Sequence, residues 1–281
     1  MTRFLSFILV LLLASACVSQ ETKVDPAQSK IHYDLGIELA QYSLYQNSLE
    51  EFELAIKFDP GNVNAYRKKG LVHFGLKQYE EAGKLFEKAI VLDPENVQGH
   101  INLGMVRYTT GDKTQAKELW EHAINLKSND NDAKALNNIA NLYKENKNYE
   151  KALEYYQLAK NQDPKNSMYL SNLADIYRLK GELDRAIETL EQSLQVNAKG
   201  MITHFNLGMA YRDRKEYQKA IGSFKQSLQI NPSLTEAYYQ IAQTHLAQND
   251  RDLALKTIET AIQASPTNIK YQEFRSKINA S

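Results

Sequence analysis

Large apolar residues recur along this chain every 34 positions, with a single two-residue slip. Phe52, Phe86, Trp120, Tyr156, Leu190, Phe224 and Ile258 form this column. Three further columns keep the same period and hold small residues. Gly36, Gly70, Gly104, Ala140, Ala174, Gly208 and Ala242 form the first, and Ser48, Ala82, Ala116, Ala152, Ala186, Ala220 and Ala254 the second. The third is Ala55, Ala89, Ala123, Ala159, Ser193, Ser227 and Ala261. Small residues at a fixed period mark where paired helices touch, and the large column is expected to pack into the next helix pair. Within each unit the spacing predicts two helices. Gly111-Asp112, Gly181-Glu182 or Asn249-Asp250 lies at the turn between them, and Asp-Pro or Asn-Pro closes the second helix.

Pro60, Pro94, Pro164, Pro232 and Pro266 follow the same rhythm, so the chain reads as seven units over 29–62, 63–96, 97–130, 133–166, 167–200, 201–234 and 235–268. The slip falls at Ser128 to Asp132, and the fifth unit ends in Ala198-Lys199-Gly200 instead of a proline turn. Both are candidate flexible joints. Tyr271, Phe274 and Ile278 then form one apolar stripe among charged residues, which predicts a capping helix over 269–281. A 34-residue unit cannot bury its apolar face alone and must stack on its neighbours, so function is expected on an extended surface rather than in an enzyme pocket.

The columns together, clearest in His204-Phe205-Asn206-Leu207-Gly208-Met209-Ala210-Tyr211, resemble the tetratricopeptide repeat. The resemblance implies an all-α, right-handed superhelical solenoid of seven repeats with a concave groove. That groove is lined by the second, fifth, ninth and twelfth positions of each first helix, which share one helical stripe. Carried over unit by unit, the fifth and ninth positions are Tyr33 and Ile37, Arg67 and Leu71, Ile101 and Met105, Asn137 and Asn141, Ser171 and Asp175, Phe205 and Met209, and Tyr239 and Gln243. The twelfth positions run Ala40, Phe74 and Tyr108, then Lys144, Arg178 and Arg212, then Leu246. The groove is therefore expected to change from apolar to basic. A protein segment would dock its apolar anchors against Tyr33, Ile37, Leu71, Phe74, Ile101, Met105 and Tyr108, with Asn141 also in the groove and carboxylates nearer Lys144, Arg178 and Arg212. The alternative is that the apolar set packs internally and the three cations solvate a face. The lysine, asparagine and arginine set with which some members of this family hold chaperone tails is not supplied by any three consecutive units.

Arg3, an apolar run from Phe4 to Leu13 and the small residues Ala14-Ser15-Ala16 precede Cys17. This is the pattern of a secretory signal, too short to span a bilayer. Cys17, the chain's only cysteine, directly follows the small-residue site, which resembles the lipobox of bacterial lipoproteins, although Leu13 stands one position earlier than that family's preferred leucine. The resemblance implies a signal peptide over 1–16, a covalent lipid on Cys17 and a tether over 17–28. Several acyl chains would hold it firmly, at about 0.8 kcal/mol per buried methylene. Val18 follows in place of the aspartate that retains such proteins at the inner membrane, so the periplasmic side of the outer membrane is expected. An ordinary secretory signal with an unmodified cysteine is the other reading.

Lysine plus arginine and aspartate plus glutamate each number 34, so no strong field favours nucleic acid. The chain carries no phosphate-binding loop, dinucleotide fingerprint or zinc spacing. His32, His100 and His204 share one repeat position and His73 and His245 another, following the fold's period rather than a metal site. Nothing marks a nucleophile or a carboxylate pair. The expectation is a non-catalytic protein with no small-molecule substrate and no cofactor beyond the lipid.

Among exported lipoproteins built of these repeats, the chain resembles the type IV pilus biogenesis and stability lipoproteins, the pilotins. Leu136-Asn137-Asn138-Ile139-Ala140 is similar to a Leu-Asn-Asn-Tyr-Gly stretch of that family, whose members usually have six units rather than seven. The resemblance implies a secretin as partner. An adaptor that gathers peptidoglycan enzymes or another envelope complex would use the same scaffold.

Overall fold

The computed structural model describes residues 24–126 and 132–280. The signal peptide, Cys17 and most of the slip at Ser128 to Asp132 lie outside the described residues; Asp132 itself begins a helix. The described residues form fifteen α-helices. In chain order they are α1 Pro26–Gln41, α2 Tyr45–Phe58, α3 Val63–Gly75, α4 Tyr79–Leu92 and α5 Val97–Thr109. Next come α6 Lys113–Asn125, α7 Asp132–Glu145, α8 Tyr149–Gln162, α9 Ser167–Leu179 and α10 Leu183–Val196. The last are α11 Met201–Asp213, α12 Tyr217–Ile230, α13 Thr235–Ala247, α14 Arg251–Ala264 and α15 Ile269–Ala280. Two compact units divide the chain, the first ending at Ala116 and the second beginning at Lys117, inside α6.

Each helix pair is drawn by the same local rules. At the turn between its helices the fifteenth residue of every repeat has positive φ: Ser43, Lys77, Gly111, Lys147, Gly181, Lys215 and Asn249. Glycine takes this conformation freely, whereas a lysine there is strained by about 1 kcal/mol. Asn62, Asn96 and Asn166 then cap the next first helix, their side chains accepting from the amides of Ala65, Gly99 and Met168. The turn at Ala198-Lys199-Gly200 has no proline, yet Gly200 N donates to Asn197 O at 3.0 Å as Asn62 N does to Asp59 O. The same backbone bond closes both.

The large column also packs within its own helix pair. A Cβ placed on Gly36 would lie 2.8 Å from the Phe52 ring, one on Gly70 2.7 Å from Phe86 and one on Gly208 2.6 Å from Phe224. Large therefore meets small inside one helix pair, because the sixteen-residue separation brings the aromatic of the second helix across the glycine of its own first helix, while Phe52 also borders the recess formed with Leu71, Val72 and Gly75 of the next pair. Where Leu190 or Ile258 replaces the ring, the facing residue is Ala174 or Ala242. The expected tether to residue 28 is also corrected. Helix begins at Pro26, whose fixed φ suits the first turn, and the Asp25 side chain accepts from Gln28 N at 3.0 Å. At the other end Tyr271 and Ile278 of α15 are buried, closing the core of Tyr239, Ala254, Ile258 and Ala261 as a cap must.

Candidate partner-binding groove

The ninth and twelfth positions of the first helices behave alike in every repeat: Ile37, Leu71, Met105, Asn141, Asp175, Met209 and Gln243, and likewise Phe74, Tyr108, Lys144, Arg178 and Arg212, are half-buried. The fifth position does not follow. Tyr33, Arg67 and Phe205 are half-buried, but Ile101, Asn137, Ser171 and Tyr239 are buried. Ile101, at 1% exposure, is a packing residue and leaves the set of groove anchors. For Asn137 and Ser171 the reason lies within the second unit, where the sixth residue of one repeat reaches back over the fifth of the preceding one. Asn172 Nδ2 donates to Asn137 Oδ1 at 2.8 Å, and Asn206 Nδ2 to Ser171 O at 3.4 Å. Ser171 is further closed in by hydroxyls, 2.6 Å from Thr203 and 3.0 Å from Ser193.

In the first unit the stripe holds a cavity of about 360 Å³ lined by Ile37, Ala40, Leu71, Val72 and Gly75 of the first helices, with Tyr45 and Phe52 of α2 and with Gln41 and Lys68. Tyr33 lies against Phe52, with ring centroids 6.1 Å apart, and Phe74 lies 5.4 Å from Tyr79. Arg67, one turn before Leu71, donates from Nη2 to Asn64 Oδ1 at 3.1 Å and meets no carboxylate among the described residues. Burial pulls its pKa below the ordinary arginine value, and only the Tyr33 phenol opposes that.

The second unit uses the same positions for an internal ladder. Lys144 Nζ lies 3.4 Å from Asp175, and Arg178 donates to Asp175 and to Asp213, each at 2.8 Å. Arg212 reaches Asp213 at 3.2 Å, Gln243 at 3.1 Å and Gln240. Burial alone would lower the Arg178 pKa, but Asp175 and Asp213 outweigh it and raise it. Asn141 accepts a hydrogen bond from Tyr156, whose hydroxyl burial pushes well above its usual range, with Asp175 and Glu145 adding to the shift. The expected basic sector is thus corrected: Lys144, Arg178 and Arg212 are held by the chain's own groups and do not form a free cationic face.

Two members of one histidine column make equivalent backbone contacts. His100 Nε2 lies 2.9 Å from Pro94 O and His204 Nε2 3.0 Å from Ala198 O, equivalent bonds that tie each first helix to the turn before it.

Family models of the tetratricopeptide repeat match residues 63–96, 97–130, 131–199, 165–233 and 211–278. The chain belongs to the tetratricopeptide-repeat family. That fold is typically a non-catalytic scaffold for protein contacts, and no enzyme family is indicated. No curated protein matches the sequence. Among solved structures, a chain of the APC/C hetero-tetramer Cut9–Hcn1 superposes with a TM-score of 0.73 at 19% identity, over 97% of this chain and 52% of that one. The yeast protein Tom70 gives 0.63 at 18%, over 98% of this chain and 59% of that one. This chain thus spans little more than half of either. The Pseudomonas aeruginosa protein pilF gives 0.64 at 24%, over 78% of this chain and 98% of that one. At these identities the likeness is one of fold.

Within this tetratricopeptide array, periodicity alone finds the cations but not their partners. Asp175 could have been found, since it stands three residues before Arg178 on one helix face. Asp213 could not, because its pairing with Arg178 crosses repeats. Tyr45 and Phe52, which complete the cavity, come from a second helix, outside the stripe that the family's geometry marks.

Proposed function

We propose that this chain is a lipid-anchored tetratricopeptide scaffold that captures a protein segment in the groove of its first unit and acts as a pilotin-like factor in secretin assembly. The observation that carries the reading is the cavity of about 360 Å³ bordered by Ile37 and Leu71, a largely apolar recess with Tyr45 among its lining residues. Half-buried Phe74, Met105 and Tyr108 extend the same apolar stripe. The start of the sequence supports the anchor: the small-residue site before Cys17 suits lipidation, and no described helix is long and apolar enough to cross a membrane. A lipid on Cys17 would hold the groove at the inner leaflet of the outer membrane. Capture there raises the local concentration of secretin protomers and promotes ring assembly without any chemistry by the scaffold.

Two experiments test the proposal. Cys17→Ser releases the protein from membranes into the soluble periplasm, and a variant that still sediments with membrane after a high-salt wash refutes the anchor. Leu71→Glu with Met105→Glu keeps the melting temperature of the wild type while the secretin is lost from proteins co-purified with the tagged chain. Peptidoglycan enzymes in the secretin's place would identify the scaffold as an adaptor for those enzymes. An unchanged set of partners would remove the groove from the account.

A further inference from the structure

We infer that the first-unit groove selects an extended segment carrying an acidic side chain two residues from a large apolar one, the carboxylate meeting Arg67 and the apolar side chain entering the cavity beside Leu71. The inference rests on the groove reading above and specifies its ligand. Three observations support it. Arg67 and Leu71 stand four residues apart on α3, as Tyr33 and Ile37 do on α1, so each pair lies on one face with its members about 6 Å apart. An extended chain rises about 3.3 Å per residue and places alternate side chains on one side, so two positions two apart match that separation.

Arg67 is the group left over. Its guanidinium has five N–H donors in a planar fork and uses one for Asn64. It is buried comparably to Arg178, yet Arg178 has Asp175 and Asp213 while Arg67 has no carboxylate within salt-bridge distance among the described residues. The Tyr33 hydroxyl, close enough for Arg67 to act on its ionisation, adds a further donor with no hydrogen-bond partner among the described residues. Asp34, the carboxylate that also bears on Tyr33, is exposed and lies 3.7 Å from Lys30. A carboxylate arriving at Arg67 therefore finds a charged, partly desolvated donor, where such a bond is strongest.

The test is an array of nonapeptides, acetylated and amidated at their ends, probed with the full chain and with Arg67→Gln, Arg67→Lys and Leu71→Glu variants. Wild type retains peptides with Asp or Glu two residues from Leu, Ile, Met or Phe. Arg67→Gln weakens those peptides by about tenfold and no longer distinguishes Asp from Asn, while Arg67→Lys restores part of the preference. Leu71→Glu loses all of them. Retained peptides that depend on Leu71 but show no acidic preference, or an unchanged preference in Arg67→Gln, overturn this inference and leave the groove reading standing. Retention only by a parallel array with free carboxyl ends overturns it too, because the ligand is then a chain terminus. No retained peptide, or retention indifferent to Leu71→Glu, overturns both.

Discussion

The first and second units place half-buried side chains at the same repeat positions, and they use them in opposite ways. In the first, Ile37 and Leu71 border a recess, and Arg67 has no anionic partner among the described residues. In the second, Lys144, Asp175, Arg178, Asp213 and Arg212 are tied into one ladder that runs from α7 to α11 and on to Gln243 of α13. Equal exposure therefore does not mean equal availability. A cation whose hydrogen bonds are already made inside the chain must lose them before it can serve a partner, and in a partly desolvated site that loss costs about as much as the new contact returns. The proposed binding surface is the place where the repeat leaves its polar and apolar groups unmatched.

The comparison breaks if the two scaffolds are not equivalent beneath their grooves, and the largest test addresses that. Phe86 and Phe224, both fully buried, each fill the space above a glycine of the facing helix. Truncation to alanine should cost about 3–5 kcal/mol at either site, since burial is lost and a cavity is left. Urea unfolding followed by circular dichroism reads both. A cost at one site much smaller than at the other would mean that the helix pairs themselves differ, and that the groove contrast has a deeper cause.

A smaller effect sharpens the contrast directly. Asp175→Asn keeps the shape of the side chain but removes the charge shared by Lys144 and Arg178, which are themselves 30% and 15% exposed. With solvent screening part of the interaction, the loss should be about 1–2 kcal/mol in the same unfolding assay. A change below the error of the measurement would show that the ladder is incidental, and would return Lys144, Arg178 and Arg212 to the set of groups free to meet a partner.

How much of this was legible in the sequence depends on which physical constraint wrote each residue. The columns at Gly70 and Phe86, or at Ala82 and Ala89, are set by backbone approach and volume, demands that repeat identically, so the period exposes them and with them the all-helical fold. The αL turn position is written less plainly, because Lys77, Lys147 and Lys215 tolerate a conformation that Gly111 and Gly181 take without strain. The groove was legible only in outline. Asn137 and Ser171 share a register position with Tyr33 and Arg67, but their burial depends on what the following repeat lays over them, as Asn206 does over Ser171. The ladder was the least legible part, because Arg178 meets Asp213 across 35 residues and no periodic column links a basic position to an acidic one in the next repeat.

The smallest expected effect is the most discriminating. Arg67→Gln and Arg178→Gln remove the same group from comparably buried positions one on each side of the comparison. Loss of Arg178 leaves Asp175 and Asp213 facing each other with less compensation and should cost about 1–2 kcal/mol. Loss of Arg67 removes a charge that burial disfavours and that no carboxylate among the described residues offsets, so stability should stay within about 0.5 kcal/mol of wild type or rise slightly. Paired urea titrations of the two variants decide the matter. A group retained without benefit to the fold, and lost without cost to it, is one whose partner comes from outside the chain; if Arg67→Gln proves as destabilising as Arg178→Gln, the guanidinium belongs to the first unit's own architecture and the contrast between the two grooves collapses.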